Sequence, residues 1–564
     1  MTASPSQFPP PVDSAAEFVG APTDPSDERI EVGVAIVGGG QAGLACAIRL
    51  LQLLEDDPET MERLGEVPVA VIEKGRVAGA HQLSGGVMNP SAIRTLLGDD
   101  DSWPHWGEVK AETVYFCTKR RAFPLKPTPP PFRNHGNYVV SVAELNRWLG
   151  EKAEEAGAYL LSETVGAKLL VDGGRVVGVR TGDKGRDKAG GEKANFEPGS
   201  DVIAQATVLA EGNWGHLTGA ALKALDLAPK DPQVWALGVK EVWEIPQPFE
   251  KIVHTLGWPL RWGAKWKEFG GSWIYGMNRE GEAPKVSIGF VTGLDYTDAR
   301  FSVHDVLQEF KLHPLVRKIL ADGKRVAWGA KAIPEGGYWA MPALHAPGMV
   351  IAGDAGGMVN VPRLKGIHYA IESGRLAAET IYAQLKAGSN DFSAYERAIY
   401  ASQMGKELYE SRNMKQPFGK GLILGGAITN AMVLTKGRFP GGHWATHRDS
   451  EAPLTLTDRH KRYPKPDGKY TFDKLSGVFL TGNATRDDAP SHIRIQTRVP
   501  REVGEGWAWM CPAGVYEVPD DAPETGMIDL IVNPSNCVQC GAITAKGGRL
   551  TPPEGGDGPV YQIT

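Results

Sequence analysis

Short apolar runs, each long enough for one buried strand, recur along this chain and predict an α/β fold. The first run covers residues 34–37 and leads through a glycine-rich turn into an apolar helix that starts at Leu44. Residues 69–72 and 349–352 repeat the same buried-strand pattern. Between residues 230 and 340 the pattern changes to alternating strands with many Trp and Gly, which predicts a second, mainly β-sheet part.

The turn after the first strand carries Gly38, Gly40 and Gly43 in the pattern G-x-G-x-x-G. The first glycine permits a tight turn, the second lets the backbone approach a pyrophosphate, and the third lets the helix pack on the strand. The helix N-terminus then faces the anion. Glu73 ends the next strand, 30 residues after Gly43, where its carboxylate can accept hydrogen bonds from a ribose. We therefore predict a dinucleotide site rather than a glycine-rich turn of an unrelated α/β protein.

Two further segments favour FAD as the dinucleotide. Gly353 and Asp354 follow the later strand in a glycine-rich turn, which suits the ribityl and pyrophosphate part of FAD, although a helix-capping Asp is the alternative. Ser84 and Gly85 lie in a polar, glycine-rich loop that is either close to the cofactor or an ordinary surface loop. The sequence contains no second strand-G-x-G-x-x-G-helix unit, which counts against a separate nicotinamide domain.

The last hundred residues contain three of the five cysteines and predict a different chemistry. Cys511 precedes a proline, and Cys537 and Cys540 form a C-x-x-C pair, which together match half of a bacterial ferredoxin pattern. A [4Fe-4S] cluster takes four ligands, but Ile543 stands where the next turn-spaced cysteine would be. Structural zinc also takes four ligands. A decayed cluster domain with free thiols therefore stays open.

Composition narrows the partners and the compartment. A net charge of −6 over 564 residues argues against general nucleic-acid binding, which requires a basic face. The first 30 residues are rich in Pro, Ser and acid, with no Lys or Arg before Arg29, so we expect a disordered leader on a cytoplasmic protein. No run reaches the ~18 to 20 apolar residues that a membrane span requires.

Many separated motifs resemble the electron transfer flavoprotein-ubiquinone oxidoreductase family, over nearly the whole length from residue 34 onward. The matching stretches are residues 72–74, 79–81, 83–85, 134–138, 256–259, 270–272, 292–296, 335–337, 360–362, 365–366 and 511–517. The resemblance implies a protein that holds FAD, a ubiquinone site and a [4Fe-4S] cluster. It would take single electrons from reduced electron transfer flavoprotein and deliver two to ubiquinone, linking fatty-acid and amino-acid oxidation to the respiratory chain.

The resemblance also implies roles for particular residues. Gly270 and Gly271 would border the quinone, and the helix starting near Gly366 would aim its N-terminus at the flavin. The cluster ligands would be Cys511, Cys537 and Cys540, with no fourth cysteine. The segment after Cys540 is also shorter than in the family. The cluster could accordingly be [4Fe-4S] with a non-protein or unexpected ligand, [3Fe-4S], or missing.

The expected architecture has four parts. They are a disordered leader (1–30), a Rossmann-like FAD-binding domain of the glutathione-reductase type (31–230 and 340–440), a β-rich ubiquinone-binding domain (231–339) and a ferredoxin-like iron-sulfur domain (441–564). Two alternative functions remain: an FAD-dependent reductase or hydroxylase of an isoprenoid or aromatic substrate with a degenerate tail, and a non-catalytic partner protein.

Access to a membrane quinone requires a surface that enters the bilayer. Residues 418–434 are mostly apolar and are flanked by basic residues, which is typical of monotopic binding to anionic lipid: Lys415, Lys420, Lys436 and Arg438. A buried core helix is the rival interpretation at this length. We expect a monomer on the cytoplasmic face of a bacterial inner membrane, reducing ubiquinone or menaquinone.

Overall fold

The computed structural model describes residues 2–99 and 102–564. Its α-helices are Ser14–Phe18, Gln41–Glu55, Pro58–Arg63, Ser91–Leu97, Val142–Glu155, His216–Ala224, Val303–Lys311, Pro314–Ile319, Ile367–Lys386, Ser393–Ala401, Gln403–Glu410, Leu422–Leu434, Lys474–Phe479, Arg501–Met510 and Ala542–Ala545. Short 3₁₀ turns lie at Pro5–Gln7, Pro130–Phe132, Gly337–Ala340, Gly353–Gly356, Gln416–Lys420, Asp449–Glu451 and Pro534–Asn536.

The larger sheet, in the part of the chain that is described, has nine strands. Seven follow one another in the order Val19–Gly20, Gly166–Asp172, Arg175–Thr181, Asp201–Leu209, Ile30–Val37, Val69–Ile72 and Tyr159–Leu161, while Met349–Ile351 and His345–Ala346 branch from Asp201–Leu209. The strands predicted at residues 34–37, 69–72 and 349–352 are all in this sheet. They run parallel to one another or to Asp201–Leu209, so their carboxyl ends lie at one edge.

Helices cover this sheet, and two of them cross very closely. A Cβ on Gly374, in the helix Ile367–Lys386, would lie 2.0 Å from the carbonyl oxygen of Ala42 in the helix Gln41–Glu55. Only glycine permits that approach, which brings the N-terminal ends of both helices to the same edge of the sheet. Ser141 caps the helix Val142–Glu155 by accepting the Glu144 N–H at 3.2 Å, as its sequence predicted.

The second sheet has seven strands within the described residues. Their order is Lys324–Pro334, Trp235–Glu244, Lys285–Gly293, Gly270–Met277, Ile252–Gly257, Glu112–Cys117 and Ala122–Pro124. The mainly β-sheet character expected after residue 230 is therefore present. The last two strands come from residues that the sequence analysis assigned to the FAD-binding domain, because Glu112–Cys117 pairs in parallel with Ile252–Gly257.

Short strand pairs complete the secondary structure, several of them in the C-terminal part. They are Thr2–Ala3 with Leu454–Thr455, Val87–Met88 with Tyr138–Val139, Lys184–Arg186 with Glu192–Glu197, Ile493–Arg494 with Arg549–Leu550, Arg498–Pro500 with Met527–Asp529, and Tyr516–Glu517 with Ile531–Val532.

The C-terminal part shares one apolar core with the second sheet. Trp235 and Phe290 of the sheet belong to the same buried cluster as Trp507, Cys511 and Val538. The two parts therefore fold against each other, and the cysteines are held against the sheet rather than in a freely moving tail.

The N-terminal residues are ordered, which corrects the expected disordered leader. Thr2–Ala3 pairs with Leu454–Thr455, and Val19–Gly20 extends the larger sheet beside Gly166–Asp172. The intervening helix Ser14–Phe18 buries its phenylalanine. The polar composition of this segment predicted disorder because composition describes the segment alone. In the folded protein its few apolar residues pack against elements far along the chain. Residue 1 lies outside the described residues.

Candidate functional site

A large cavity lies where the two sheets and the C-terminal part meet. Its walls include Gly38 from the larger sheet, Trp273 from the second sheet, and Gln539 from the C-terminal part. The cavity thus opens at the carboxyl ends of the parallel strands, which is the usual position of a ligand in open α/β sheets.

The glycine-rich turn has the geometry that its sequence predicted. Gly38 has a φ of +111°, and a Cβ there would lie 2.3 Å from the Ala210 carbonyl oxygen. Gly38 and Gly40 line the cavity. Gly43 is not among the lining residues; a Cβ on it would lie 2.1 Å from the Gly38 carbonyl oxygen. Gly43 therefore allows the helix Gln41–Glu55 to pack on the turn.

Glu73 lies at the cavity wall with a side chain that is 7% exposed. One carboxylate oxygen accepts the Gly39 N–H at 2.8 Å and the other accepts the Gly75 N–H at 2.6 Å. These two bonds fix the carboxylate beside the glycine turn. Each oxygen retains a lone pair that can accept a ribose hydroxyl.

The other residues assigned to FAD from the sequence line the same cavity: Ser84, Gly85, Gly353, Asp354 and Gly366. The Ser84 hydroxyl is buried and has no hydrogen-bond partner among the described residues, so it is free to bond a ligand. Burial raises the pKa of Asp354 to about 6, and Lys331 opposes that rise. Gly366 precedes the helix Ile367–Lys386, and both Gly366 and Ile367 line the cavity, so the N-terminus of this helix lies at the cavity wall.

Three polar residues that the sequence analysis gave no role also belong to this site. The Lys74 ammonium donates to the Gln539 side-chain oxygen at 2.8 Å, and the Lys331 ammonium donates to the Gln539 backbone oxygen at 3.3 Å. Burial lowers the pKa of both lysines, that of Lys331 to about 8. Lys74 could have been identified from the sequence, because it lies in the matching stretch at residues 72–74. Gln539 could not, since only the tertiary fold places it at the cavity.

The segment 511–540, which carries the three cysteines and is called the cysteine loop below, is directly adjacent to the cavity. Gln539, between Cys537 and Cys540, lines the cavity, and its N–H donates to the Cys537 sulfur at 3.4 Å. The Val515 N–H donates to the Cys511 sulfur at 3.4 Å. Amide donors of this kind stabilise sulfur that carries negative charge. Burial raises the pKa values of the Cys537 and Cys540 thiols, so they ionise only with a cation or cluster present.

The three cysteines of the C-terminal part lie in one buried apolar cluster. In an iron-sulfur cluster each iron takes its own thiolate. Among the described residues, no group of three or more His, Cys, Asp or Glu side chains is arranged to hold a single metal ion. Ile543 is 3% exposed in the same apolar cluster as Cys511, Cys537 and Cys540, and it supplies no ligand.

Gly270 and Gly271, assigned to the quinone, lie outside the lining of the cavity. A Cβ on Gly270 would lie 1.9 Å from the Val291 carbonyl oxygen, and one on Gly271 would lie 2.5 Å from the Thr255 carbonyl oxygen. Close contact between strands therefore explains both glycines in the sheet, and their role toward quinone stays a prediction.

The apolar segment expected at the membrane forms the helix Leu422–Leu434. The side chains of Ile423 and Leu434 are each 82% exposed, and Phe439 beyond the helix is 62% exposed. This exposure contradicts a buried core helix. Among the described residues, no helix combines the length and apolar character needed to cross a membrane.

The basic residues near this helix differ from the expectation in one case. Lys420, Lys436 and Arg438 are exposed beside the helix, as lipid contact would require. Lys415 is only 13% exposed, and its ammonium lies 2.8 Å from the Glu335 carboxylate. The interpretation of Lys415 as a lipid-binding flank was wrong, because the backbone directs its side chain inward.

Comparison with known proteins identifies the family. The model "ETF-QO, ubiquinone-binding" matches residues 235–333, and the model "Electron transfer flavoprotein-ubiquinone oxidoreductase, 4Fe-4S" matches residues 468–562. The mitochondrial electron transfer flavoprotein-ubiquinone oxidoreductase of Caenorhabditis elegans is 36% identical over 94% of this chain and 91% of its own length. The proteins of the same name from Arabidopsis thaliana and Homo sapiens are 37% and 36% identical, over 95% and 94% of this chain and 85% and 89% of their own lengths.

This chain belongs to the electron transfer flavoprotein-ubiquinone oxidoreductase family. The resemblance predicted from the sequence motifs is confirmed. Two solved structures show a similar fold at low identity. A geranylgeranyl bacteriochlorophyll reductase-like protein from Thermoplasma acidophilum covers 72% of this chain and 91% of its own, with 18% identity and a TM-score of 0.54. The flavin-dependent brominase Bmp2 covers 72% and 93%, with 16% identity and a TM-score of 0.50.

Proposed function

We propose that this chain is an oxidoreductase that takes electrons from reduced electron transfer flavoprotein and delivers them to ubiquinone. Its cofactors are FAD and an iron-sulfur cluster. One observation carries the proposal: residues of the predicted FAD site and Gln539 of the cysteine loop line the same cavity. Two electron-carrying groups held there would be adjacent, which a relay between a one-electron donor and a two-electron acceptor requires.

The cavity residues fit FAD. Gly38 and Gly40 leave the backbone open to a pyrophosphate at the N-terminus of the helix Gln41–Glu55, and Glu73 is fixed for the ribose. The Ser84 hydroxyl supplies a free polar contact within the cavity. Bound FAD supplies the conversion between one-electron and two-electron transfer. Lys74 and Lys331 place positive charge beside the cavity and favour the acceptance of electrons there.

The cluster would be held by Cys511, Cys537 and Cys540. The domain match at residues 468–562 supports a [4Fe-4S] type, with one iron lacking a cysteine ligand, and the [3Fe-4S] type is the alternative that an iron count decides. The FAD-dependent hydroxylase considered from the sequence is not favoured, because such an enzyme would have no use for this C-terminal domain.

The finer architecture and location complete the proposal. We assign the FAD-binding part to the glutathione-reductase type and the protein to a monomer on the cytoplasmic face of a bacterial inner membrane, reducing ubiquinone or menaquinone. The exposed apolar helix Leu422–Leu434 with exposed Lys420, Lys436 and Arg438 supports monotopic attachment.

The function is tested by mixing reduced electron transfer flavoprotein, the FAD-loaded protein and a short-chain ubiquinone under anaerobic conditions. We expect catalytic reoxidation of the flavoprotein, followed by its absorbance. No reoxidation, together with NAD(P)H-dependent turnover on another substrate, would contradict the proposal.

Membrane attachment is tested by replacing Ile423 or Leu424 with Asp. Each wild-type side chain contributes about 1.5–3 kcal/mol when it leaves water, so each variant should bind vesicles with anionic lipid at least roughly 10-fold less tightly. Sedimentation with vesicles measures this. Asn430→Asp, at an exposed polar position of the same helix, is the control for added charge. Equal binding by all three variants and wild type would exclude this helix from the attachment surface.

A further inference from the structure

Two of the family-matching stretches have no assigned role in cofactor binding, and they come together in the folded protein. The stretch at residues 292–296 contributes Asp295, and the stretch at residues 335–337 contributes Glu335. Between them lies Lys415, whose ammonium is 2.8 Å from the Glu335 carboxylate. Asp449 and Asp295 both act electrostatically on Lys415. The result is a group of three carboxyls around Lys415, and a second ammonium, that of the buried Lys546, also acts on Asp449 and Asp295.

This group lies beside the strand that carries the candidate quinone glycines. At the point where a Cβ would stand on Gly293, the nearest atoms are an Asp295 carboxylate oxygen at 3.0 Å, and the Lys415 nitrogen and the Phe269 carbonyl oxygen, both at 3.8 Å. Phe269 precedes Gly270 in the chain. A larger residue at position 293 would displace the Asp295 carboxylate from this strand end.

The same strand end adjoins the exposed apolar surface. The Phe269 ring contacts the Phe418 ring with centroids 4.5 Å apart, and Phe418 is the first residue of the apolar segment. The backbone around Phe269 and Gly270 is therefore next to the surface from which an isoprenoid quinone would enter. On the other side of the group around Lys415, Glu335 lines the large cavity. The three carboxyls therefore extend from the cavity to the candidate quinone entry.

A second buried ion pair shows what a purely structural arrangement looks like in this protein. Both carboxylate oxygens of Glu241 bond to Lys311, at 2.8 and 2.7 Å, with further donors from Gln308 and Trp243. Its polar atoms are satisfied, as buried charges normally are.

The group around Lys415 is different. One carboxylate oxygen of Asp295, one of Asp449, the Tyr296 hydroxyl and the Lys546 ammonium are buried without hydrogen-bond partners among the described residues. Buried polar atoms in such a state call for water or a ligand. The group therefore has unpaired polar atoms available for proton transfer, which the Glu241 pair lacks.

The protonation states are also suitable. Burial raises the pKa of Asp449 to about 8, with Lys415 opposing the rise, so this carboxyl holds a proton at neutral pH. Burial alone would lower the pKa of Lys415, but Glu335, Asp295 and Asp449 together raise it. Lys415 thus stays charged and holds the carboxyls in place rather than releasing its own proton.

We propose that the carboxyls around Lys415 deliver protons to the quinone during its reduction, with Asp449 as the proton store and Asp295 as the relay at the strand end next to Gly270. This inference rests on the proposed function. Reduction of a quinone to a quinol takes two electrons and two protons. The electrons are those received from the flavoprotein donor. For each proton, the Asp449 O–H bond breaks as the proton passes to Asp295, the new Asp295 O–H bond breaks as an O–H bond forms on a quinone oxygen, and Asp449 is then reprotonated from water.

The test compares two electron acceptors. The FAD-loaded protein is reduced chemically, without electron transfer flavoprotein, and mixed in a stopped-flow instrument with short-chain ubiquinone or with ferricyanide, which takes one electron and no proton. We expect Asp295→Asn to slow quinone reduction about 100-fold, the scale of general acid catalysis, and to leave ferricyanide reduction unchanged. Asp295→Glu should restore part of the quinone rate.

Asp298→Asn is the matched control. Asp298 lies in the same loop, is buried, and accepts a bond from Arg261 at 2.7 Å, but is not one of the three carboxyls that act on Lys415. It should reduce both acceptors at wild-type rates. If Asp295→Asn does not fold, Asp449→Asn replaces it, with an expected loss of roughly 10-fold for quinone alone.

Two results would overturn the proposal: a wild-type quinone rate in both Asn variants, or an equal slowing of quinone and ferricyanide. Because the protein is reduced chemically, failure of the flavoprotein turnover assay would count against the donor in the proposed function and would leave this comparison intact.

Discussion

The glycine turn and the cysteine loop lie at two walls of one cavity, yet they are specified in different ways. The turn is local: Gly38, Gly40 and Glu73 belong to two adjacent parallel strands, and backbone bonds fix the carboxylate. The cysteine loop joins Cys511 to Cys537 across 26 residues and depends on packing against the second sheet. The first region should therefore survive damage to the second.

The largest effect that would sharpen this contrast comes from Cys537→Ser. A hydroxyl is a poor ligand for iron, and two remaining thiols cannot hold a cluster, so iron content should fall to near zero while FAD content is unchanged. Iron and flavin analysis of the purified protein measures both. Cys117→Ser, at a buried thiol in the second sheet, should change neither. A joint loss of iron and FAD would show that the two regions are not independent.

The next largest effect tests the glycine turn. Glu73→Gln keeps the shape but removes the charge that two backbone N–H groups and the ribose would share, at a cost of about 2 kcal/mol, or roughly 30-fold in the Kd for FAD. Flavin titration of the apoprotein measures the change, with iron content unaffected. Glu396→Gln is the control, because Glu396 also accepts a backbone N–H, at 2.9 Å, but lies outside the cavity lining. Equal FAD affinity in both variants would remove Glu73 from the site.

The smallest expected effect concerns Ile543, which stands where the cysteine loop lacks a fourth ligand. Ile543→Cys places a thiol one helical turn after Cys540, in the short helix Ala542–Ala545. We expect the variant to keep four irons per protein through purification, where the wild-type cluster loses the iron that lacks a cysteine ligand, and its EPR signal to be that of a cluster paramagnetic only when reduced. Replacing a buried isoleucine should cost roughly 1–3 kcal/mol of unfolding free energy. Ile543→Val, which removes volume but adds no thiol, is the control, and identical spectra in the two variants would contradict the ligand role.

Features set by local interactions could be predicted from the sequence, whereas features set by partners distant in the chain could not. The strands at residues 34–37, 69–72 and 349–352 followed from apolar runs, and the motif glycines followed from backbone geometry. The N-terminal segment was misjudged because its partners, Gly166–Asp172 and Leu454–Thr455, are distant in sequence. The strand Glu112–Cys117 was placed in the wrong part for the same reason.

The sequence by itself determined the dinucleotide turn, the three cysteines without a fourth, and the family, because each is carried by residue types whose order along the chain is visible without the fold. Only the tertiary structure decided that Gln539 reaches the cavity and that Lys415 turns inward to Glu335 rather than outward to lipid. These contacts join residues 80 or more positions apart, and the direction of a side chain depends on the backbone around it. Chain packing, which no local pattern encodes, therefore brings the predicted FAD residues and the cysteine loop to one cavity.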